Sequence, residues 1–257
     1  MSRIKNAFEN GKAFIGFLTA GDPSLQKTEE FIYSMISAGA DLIEIGIPFS
    51  DPIAEGKVIQ EANKRALTVG TNLNEIFAMV KTIRLKIQVP IVFLTYLNPV
   101  FTYGYDHFFR NCSEYGVDGV IIPDIPFEEK GEMLPFSKKY DVDIISLIAP
   151  TSQQRIEEIA SCASGFVYCV SSMGVTGVRN EIKTDLPSIL SAVRAATNVP
   201  AAIGFGISTP QQASEIGAYA DGIIVGSAIV KIIEEHGGNA SKYLYEYVKS
   251  MKDAISA

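Results

Sequence analysis

The chain has 257 residues, 47% of them hydrophobic, and a formal charge of −7, a length at which one (β/α)8 barrel commonly forms a single domain, here over residues 1–257. The acidic balance argues against a nucleic-acid or anionic-membrane surface, and no apolar run approaches the roughly 18 residues of a membrane span. The first residues lack the apolar core of a signal peptide, and Cys112, Cys162 and Cys169 lie in or beside apolar runs, so a soluble cytoplasmic protein with reduced thiols is expected.

The first predicted strand, Phe14–Thr19, runs into Thr19-Ala-Gly-Asp-Pro23, which does not match the dinucleotide glycine fingerprint of an open doubly wound sheet. The second, Leu42–Gly46, is apolar on both faces. Alternation puts Leu42, Glu44 and Gly46 on one face and Ile43 and Ile45 on the other. A strand of that kind is covered on both sides, so Glu44 is read as buried, and a buried carboxylate is costly unless it is paired or used. The loop that follows carries Asp51 and Glu55 among prolines and glycines. Asn72 and Glu75, spaced as a capping box, start a helix before the third strand, Ile91–Thr95.

The fourth strand, Gly119–Ile122, ends in Pro123-Asp-Ile-Pro126, where Asp124 reads as a loop-orienting residue. Ile144–Ile148 follows, then a helix start at Thr151 with Gln154. Gly165–Val170 carries Tyr168, and Ala201–Gly204 precedes a third capping box, after those at Asn72 and Thr151: Thr209 with Gln212, with Pro210 at the first helical position. The last strand is Gly222–Val225. Eight strands with helical crossovers predict a (β/α)8 barrel, whose function sits on the loops after the strands.

None of these eight strands contains Lys or Arg, so Glu44 has no cation inside the barrel and is read as a general acid/base. Gly204-Phe-Gly-Ile-Ser208 and Gly226-Ser-Ala-Ile-Val-Lys231 lie at the last two strand ends, where barrels bind phosphate through backbone N–H groups and a helix N-terminus. Only two histidines are present, no cysteine is spaced as a nucleophile with one, and no strand lysine offers a Schiff base. A carboxylate, the Tyr168 hydroxyl, an apolar interior and a phosphate grip remain. They suit a phosphate ester with an apolar or aromatic body.

The segment Leu42-Ile-Glu-Ile-Gly-Ile-Pro-Phe-Ser-Asp-Pro-Ile-Ala-Glu-Gly56 closely resembles the signature of tryptophan synthase alpha chains. So do Phe17-Leu-Thr-Ala-Gly-Asp-Pro23, Pro123-Asp-Ile-Pro-Phe-Glu-Glu129, Gly174-Val-Thr-Gly177 and the two glycine-rich segments, in order along the whole chain. The resemblance implies retro-aldol cleavage of indole-3-glycerol phosphate to indole and glyceraldehyde 3-phosphate. No metal or cofactor is implied, and a beta chain in an alpha2-beta2 complex receives the indole. It also implies roles. Glu44 acts as acid/base at C3, Glu55 faces the indole nitrogen, and Tyr168 supports them. Phe17, Leu94, Ile121 and Phe205 line the indole pocket, while Gly177, Gly206, Gly226 and Ser227 hold phosphate. Thr176 lies in a loop that closes over substrate, and Asp51 and Pro52 face the beta chain.

Two departures from the family pattern stand out. Glu55-Gly-Lys57 replaces an aspartate followed by Gly-Pro, and Ser172 occupies a position that is often basic. Three other functions are compatible with the residues: another phosphate-binding barrel enzyme, a free-standing lyase, or a subunit that mainly activates a beta chain.

Overall fold

Every position of Ala13–Thr19 and of Leu42–Gly46 is buried, as parallel strands require when helices cover one face and the barrel interior the other. The computed structural model describes residues 2–170, 185–204 and 206–256. Its strands are β1 (Ala13–Thr19), β2 (Leu42–Gly46), β3 (Ile91–Leu94), β4 (Gly119–Ile121), β5 (Asp143–Ile144 and Ser146–Ile148), β6 (Val167–Val170), β7 (Ala201–Gly204) and β8 (Gly222–Val225). All pairings are parallel and join neighbours in sequence, with β8 returning to β1. This is the expected α/β barrel.

The fifth strand departs from the continuous Ile144–Ile148 expected. Its first half pairs with β4 and its second half with β6, and the ladder breaks at Ile145. The Ile145 N–H still reaches Val120 O at 2.9 Å, while its side chain enters the barrel interior. Lys130 spans the break, donating from Nζ to Ile144 O and Ser146 Oγ, both at 2.9 Å. One strand thus changes partner midway, and the ring closes through it.

Helix starts follow local chemistry. Asn72 Oδ1 accepts from the Glu75 N–H at 3.2 Å, and Thr209 and Gln212 form a reciprocal capping box. The cap expected at Thr151 lies one residue later. Ser152 takes the extended conformation and its Oγ accepts from the Arg155 N–H at 3.3 Å, so Gln153–Ser161 is the helix.

The interior is filled by Ile15, Leu42, Val92, Ile121, Phe166, Tyr168 and Ile224, with Ile4 and Ala7 of an N-terminal 3-10 turn packed into the same cluster. Beside that turn, Asp118 ties three segments together. Its carboxylate accepts from Arg84 Nη2 at 2.6 Å, Arg3 Nη1 at 2.8 Å and the Ile91 N–H at 2.9 Å. Asp118→Ala leaves the Arg84 guanidinium buried without its counter-charge. We expect a loss of about 3–5 kcal/mol in denaturant unfolding, with the catalytic end of the barrel unaltered.

Candidate active site at the C-terminal mouth of the barrel

Register places Glu44 opposite Phe17 of β1 and Val92 of β3, so its side chain points inward near the C-terminal ends of the strands. The mouth of the barrel holds a cavity of about 480 Å³ whose wall includes Phe17, Glu44, Glu55, Leu94, Tyr168, Gly206, Gly226 and Ser227. Glu44 is only 1% exposed, and its Oε2 has no hydrogen-bond partner among the described residues. Burial, reinforced by the charge of Glu55, pushes its pKa up to about 8.

Glu55 reaches the same cavity from the loop after β2. The loop is folded back by three contacts: Gln60 Nε2 donates to Glu55 O at 2.8 Å, the Ala54 N–H donates to Tyr96 Oη at 3.1 Å, and Phe49 stacks on Tyr96 at 5.3 Å. The Glu55 carboxylate accepts from Asn63 Nδ2 at 3.0 Å and from the Tyr96 hydroxyl. Burial raises its pKa to about 7, opposed by those two hydrogen bonds. Lys57 opens the helix Lys57–Thr68 and is exposed to solvent.

Two glycines give the aromatic residues room. A Cβ at Gly204 would stand 2.5 Å from the Tyr168 hydroxyl, and one at Gly46 would stand 2.7 Å from the Phe17 ring. Burial first, then the charge of Glu44, raises the Tyr168 pKa well above its ordinary value, so the phenol keeps its proton and can donate. Opposite, Gly206 has φ +89° and Gly226 precedes the helix Ser227–His236, whose first N–H groups have no intrahelical acceptor. The intervening loop is fixed by Tyr247 Oη donating to Ser208 O at 2.9 Å and by Ser208 N donating to Gln212 Oε1 at 2.9 Å.

Not every expected residue lies on the cavity wall. Ile121 is fully buried in the side-chain layer inside the barrel, and Ile122 and Pro123 line the cavity instead. The reason is that β4 leaves its ladder after Ile121, which ends the strict alternation. Asp51 is exposed and accepts from Ser50 Oγ at 2.5 Å, Pro52 is half-buried beside it, and Ile53 is 73% exposed. Asp124 Oδ1 accepts from the Leu97 N–H at 2.9 Å, a loop-orienting contact. Thr176, Gly177 and Phe205 lie outside the described residues.

Sequence reasoning assigned no role to Asn63 or Tyr96. Asn63 did leave a signal. It is the one polar member of a buried helix stripe otherwise formed by Ile59, Ala62 and Ala66. Among the described residues no three His, Cys, Asp or Glu side chains are grouped to hold a metal, and no helix is long and apolar enough to cross a membrane. The chemistry open to the site is a protonated carboxyl facing an ionised one across an apolar space, with backbone anion donors at its rim.

Comparison with known proteins agrees with this geometry. The family model described as tryptophan synthase alpha chain matches residues 4–256. The alpha chain of Lacticaseibacillus casei is 46% identical over 257 residues, covering 100% of this chain and 97% of that one. A solved tryptophan synthase from Mycobacterium tuberculosis superposes with a TM-score of 0.91 at 32% identity, covering 100% and 99% of the two chains. The tryptophan synthase a2b2 complex of Pyrococcus furiosus gives 0.87 at 36% identity, covering 95% and 98%. The chain belongs to the tryptophan synthase alpha chain family.

Proposed function

We propose that this chain, as one barrel domain, cleaves indole-3-glycerol phosphate to indole and glyceraldehyde 3-phosphate and passes the indole to a beta chain in an alpha2-beta2 complex. The observation that carries the assignment of roles is the burial of Glu44 and Glu55 in one apolar cavity whose rim carries backbone donors with no acceptor in their own helix. Glu44 begins protonated and gives its proton to indole C3. The ring then carries positive charge at nitrogen, which the Glu55 carboxylate stabilises. Glu44, now ionised, accepts the proton of the glyceryl hydroxyl next to the ring. The carbon–carbon bond breaks, its electrons restore the aromatic ring, and the aldehyde leaves. The ring serves as its own electron sink, and the phenol of Tyr168 supports the carboxyl of Glu44. Phe17 and Leu94 hold the indole ring, and Phe205 and Thr176 are assigned to the ring pocket and the covering loop.

Gly206, Gly226 and Ser227, with Gly177, are assigned to the phosphate. A Cβ at Gly226 would lie 3.2 Å from Phe17 Cδ1, so a larger side chain there disturbs both ends of the substrate. We expect Gly226→Val to raise KM for the phosphate ester by about 10-fold or more, measured against inhibition by glycerol phosphate. Larger losses from neutralising Lys57, Arg179 or Lys183 would contradict a backbone site.

Asp51, Pro52 and the exposed Ile53 are proposed to meet the beta chain. Free indole is small and apolar, so transfer through a covered surface on this face prevents its escape. The cytoplasm is the compartment proposed. Assaying purified protein with indole-3-glycerol phosphate, alone and with a beta chain, tests the reading. No indole release in either case would refute it.

A further inference from the structure

The cavity does not end at the carboxylates. Its wall also takes in Leu147, Ile125, Phe127 and Ile159 on the side of β4 and β5, a side chamber whose polar side chains are Lys130, Ser146 and Arg155. Lys130 is 7% exposed, and among the described residues no carboxylate stands within ion-pair distance of it. Two of the three ammonium donors are used, on Ile144 O and Ser146 Oγ. Among the described residues the third donor has no partner. The other cation of the chamber, Arg155, is already engaged: Glu128 accepts two hydrogen bonds from it at 2.5 and 3.0 Å, and its guanidinium lies over the Phe127 ring at 5.4 Å.

We propose that this chamber is a specificity subsite that accepts an anionic substituent, a carboxylate, on the benzo ring of an indole, with Lys130 as its counter-charge. The proposal rests on the indole-cleaving reading above. Phosphate is assigned to the ends of β7 and β8, while the chamber lies beside β4 and β5, so a ring held between Glu44 and Glu55 turns its benzo edge away from the phosphate. A carboxylate normally loses too much hydration to enter an apolar pocket. Here the fold has already desolvated the ammonium: burial lowers the Lys130 pKa, and the more distant Cys162 and Asp143 oppose that shift without reversing it. An arriving carboxylate supplies the missing partner with a charge-assisted hydrogen bond. A plain indole leaves the chamber empty, so the subsite adds tolerance for substituted rings without being needed for the parent substrate.

The chain contains no tryptophan, so the fluorescence of an added indole reports binding directly. Indole-5-carboxylate and indole-6-carboxylate are titrated into the whole protein beside the matching carboxamides, which have the same shape without charge. At least one carboxylate is expected to bind about 10-fold more tightly than its amide. Lys130→Met should abolish that preference and Lys130→Arg should retain part of it, with thermal unfolding as the control for folding. Ser146→Ala frees a second donor, so it should keep or increase the preference even if Lys130→Met fails to fold. Amides that bind as tightly as both carboxylates in the unaltered protein overturn the subsite, as does a preference that survives Lys130→Met. Failure of the cleavage reading would appear separately, as absence of indole release from the parent phosphate ester.

Discussion

Glu44→Gln is expected to lower indole release from indole-3-glycerol phosphate by at least about 10²-fold, with the fold intact. The substitution keeps size and hydrogen-bonding shape and removes only the transferable proton. The same variant should be more thermally stable than the unaltered protein, and the sign follows from linkage. Burial raises the Glu44 pKa to about 8 from an ordinary 4.5, so between those values the folded state holds a proton that the unfolded state has released. Stability from this group is therefore full below about pH 4.5 and is lost as pH rises through about 8. Glutamine does not ionise. The stability advantage of Glu44→Gln should grow from pH 5 to pH 8 in parallel thermal melts. A constant difference across that range would mean that Glu44 is not buried as described, and near-normal turnover would exclude it as the acid/base.

Much of this site could be read from the chain because its key strand announces itself. Apolar residues on both faces of Leu42–Gly46 fixed its limits and made Glu44 an internal carboxylate without any tertiary information. The break at Ile145 could not be read in the same way. An apolar run has the same pattern whether it keeps one partner or changes partners midway. Thr151 and Ser152 are adjacent hydroxyl residues, and only Thr151 has a capping-box Gln three positions on, so the local pattern points to Thr151 while the backbone places the cap at Ser152. Lys130 lies in Glu128-Glu-Lys-Gly-Glu132, which reads as a solvated turn. Its burial comes from the packing of that turn onto the broken fifth strand. Asn63 and Tyr96 act on Glu55 across eight and forty-one positions of the chain, and a contact of that kind leaves no local period.

Glu55→Ala is expected to lose most of kcat, on the order of 10²-fold, and Glu55→Asp to keep a substantial part of it. Positive charge grows on the indole nitrogen as C3 is protonated, so a fixed carboxylate there favours the transition state over the bound substrate. The extra methylene of glutamate, relative to the family's aspartate, is taken up by a loop folded back through Gln60 and Tyr96. Asn63 and the Tyr96 hydroxyl then orient the carboxylate from the side away from the substrate. Lys57 is exposed and does not compete for that charge. The two carboxyls must be in opposite states, Glu55 ionised and Glu44 protonated. Turnover should therefore fall below about pH 7, where Glu55 takes up a proton, and again above about pH 8, where Glu44 loses its own. Asn63→Ala removes a donor that favours the ionised form, so the acid limb of kcat/KM should move to higher pH while the alkaline limb stays. Glu55→Gln should erase the acid limb altogether. If Glu55→Ala is harmless while Glu44→Gln is not, stabilisation of the nitrogen comes from elsewhere, and Asp124, at the end of β4, is the next carboxylate to replace.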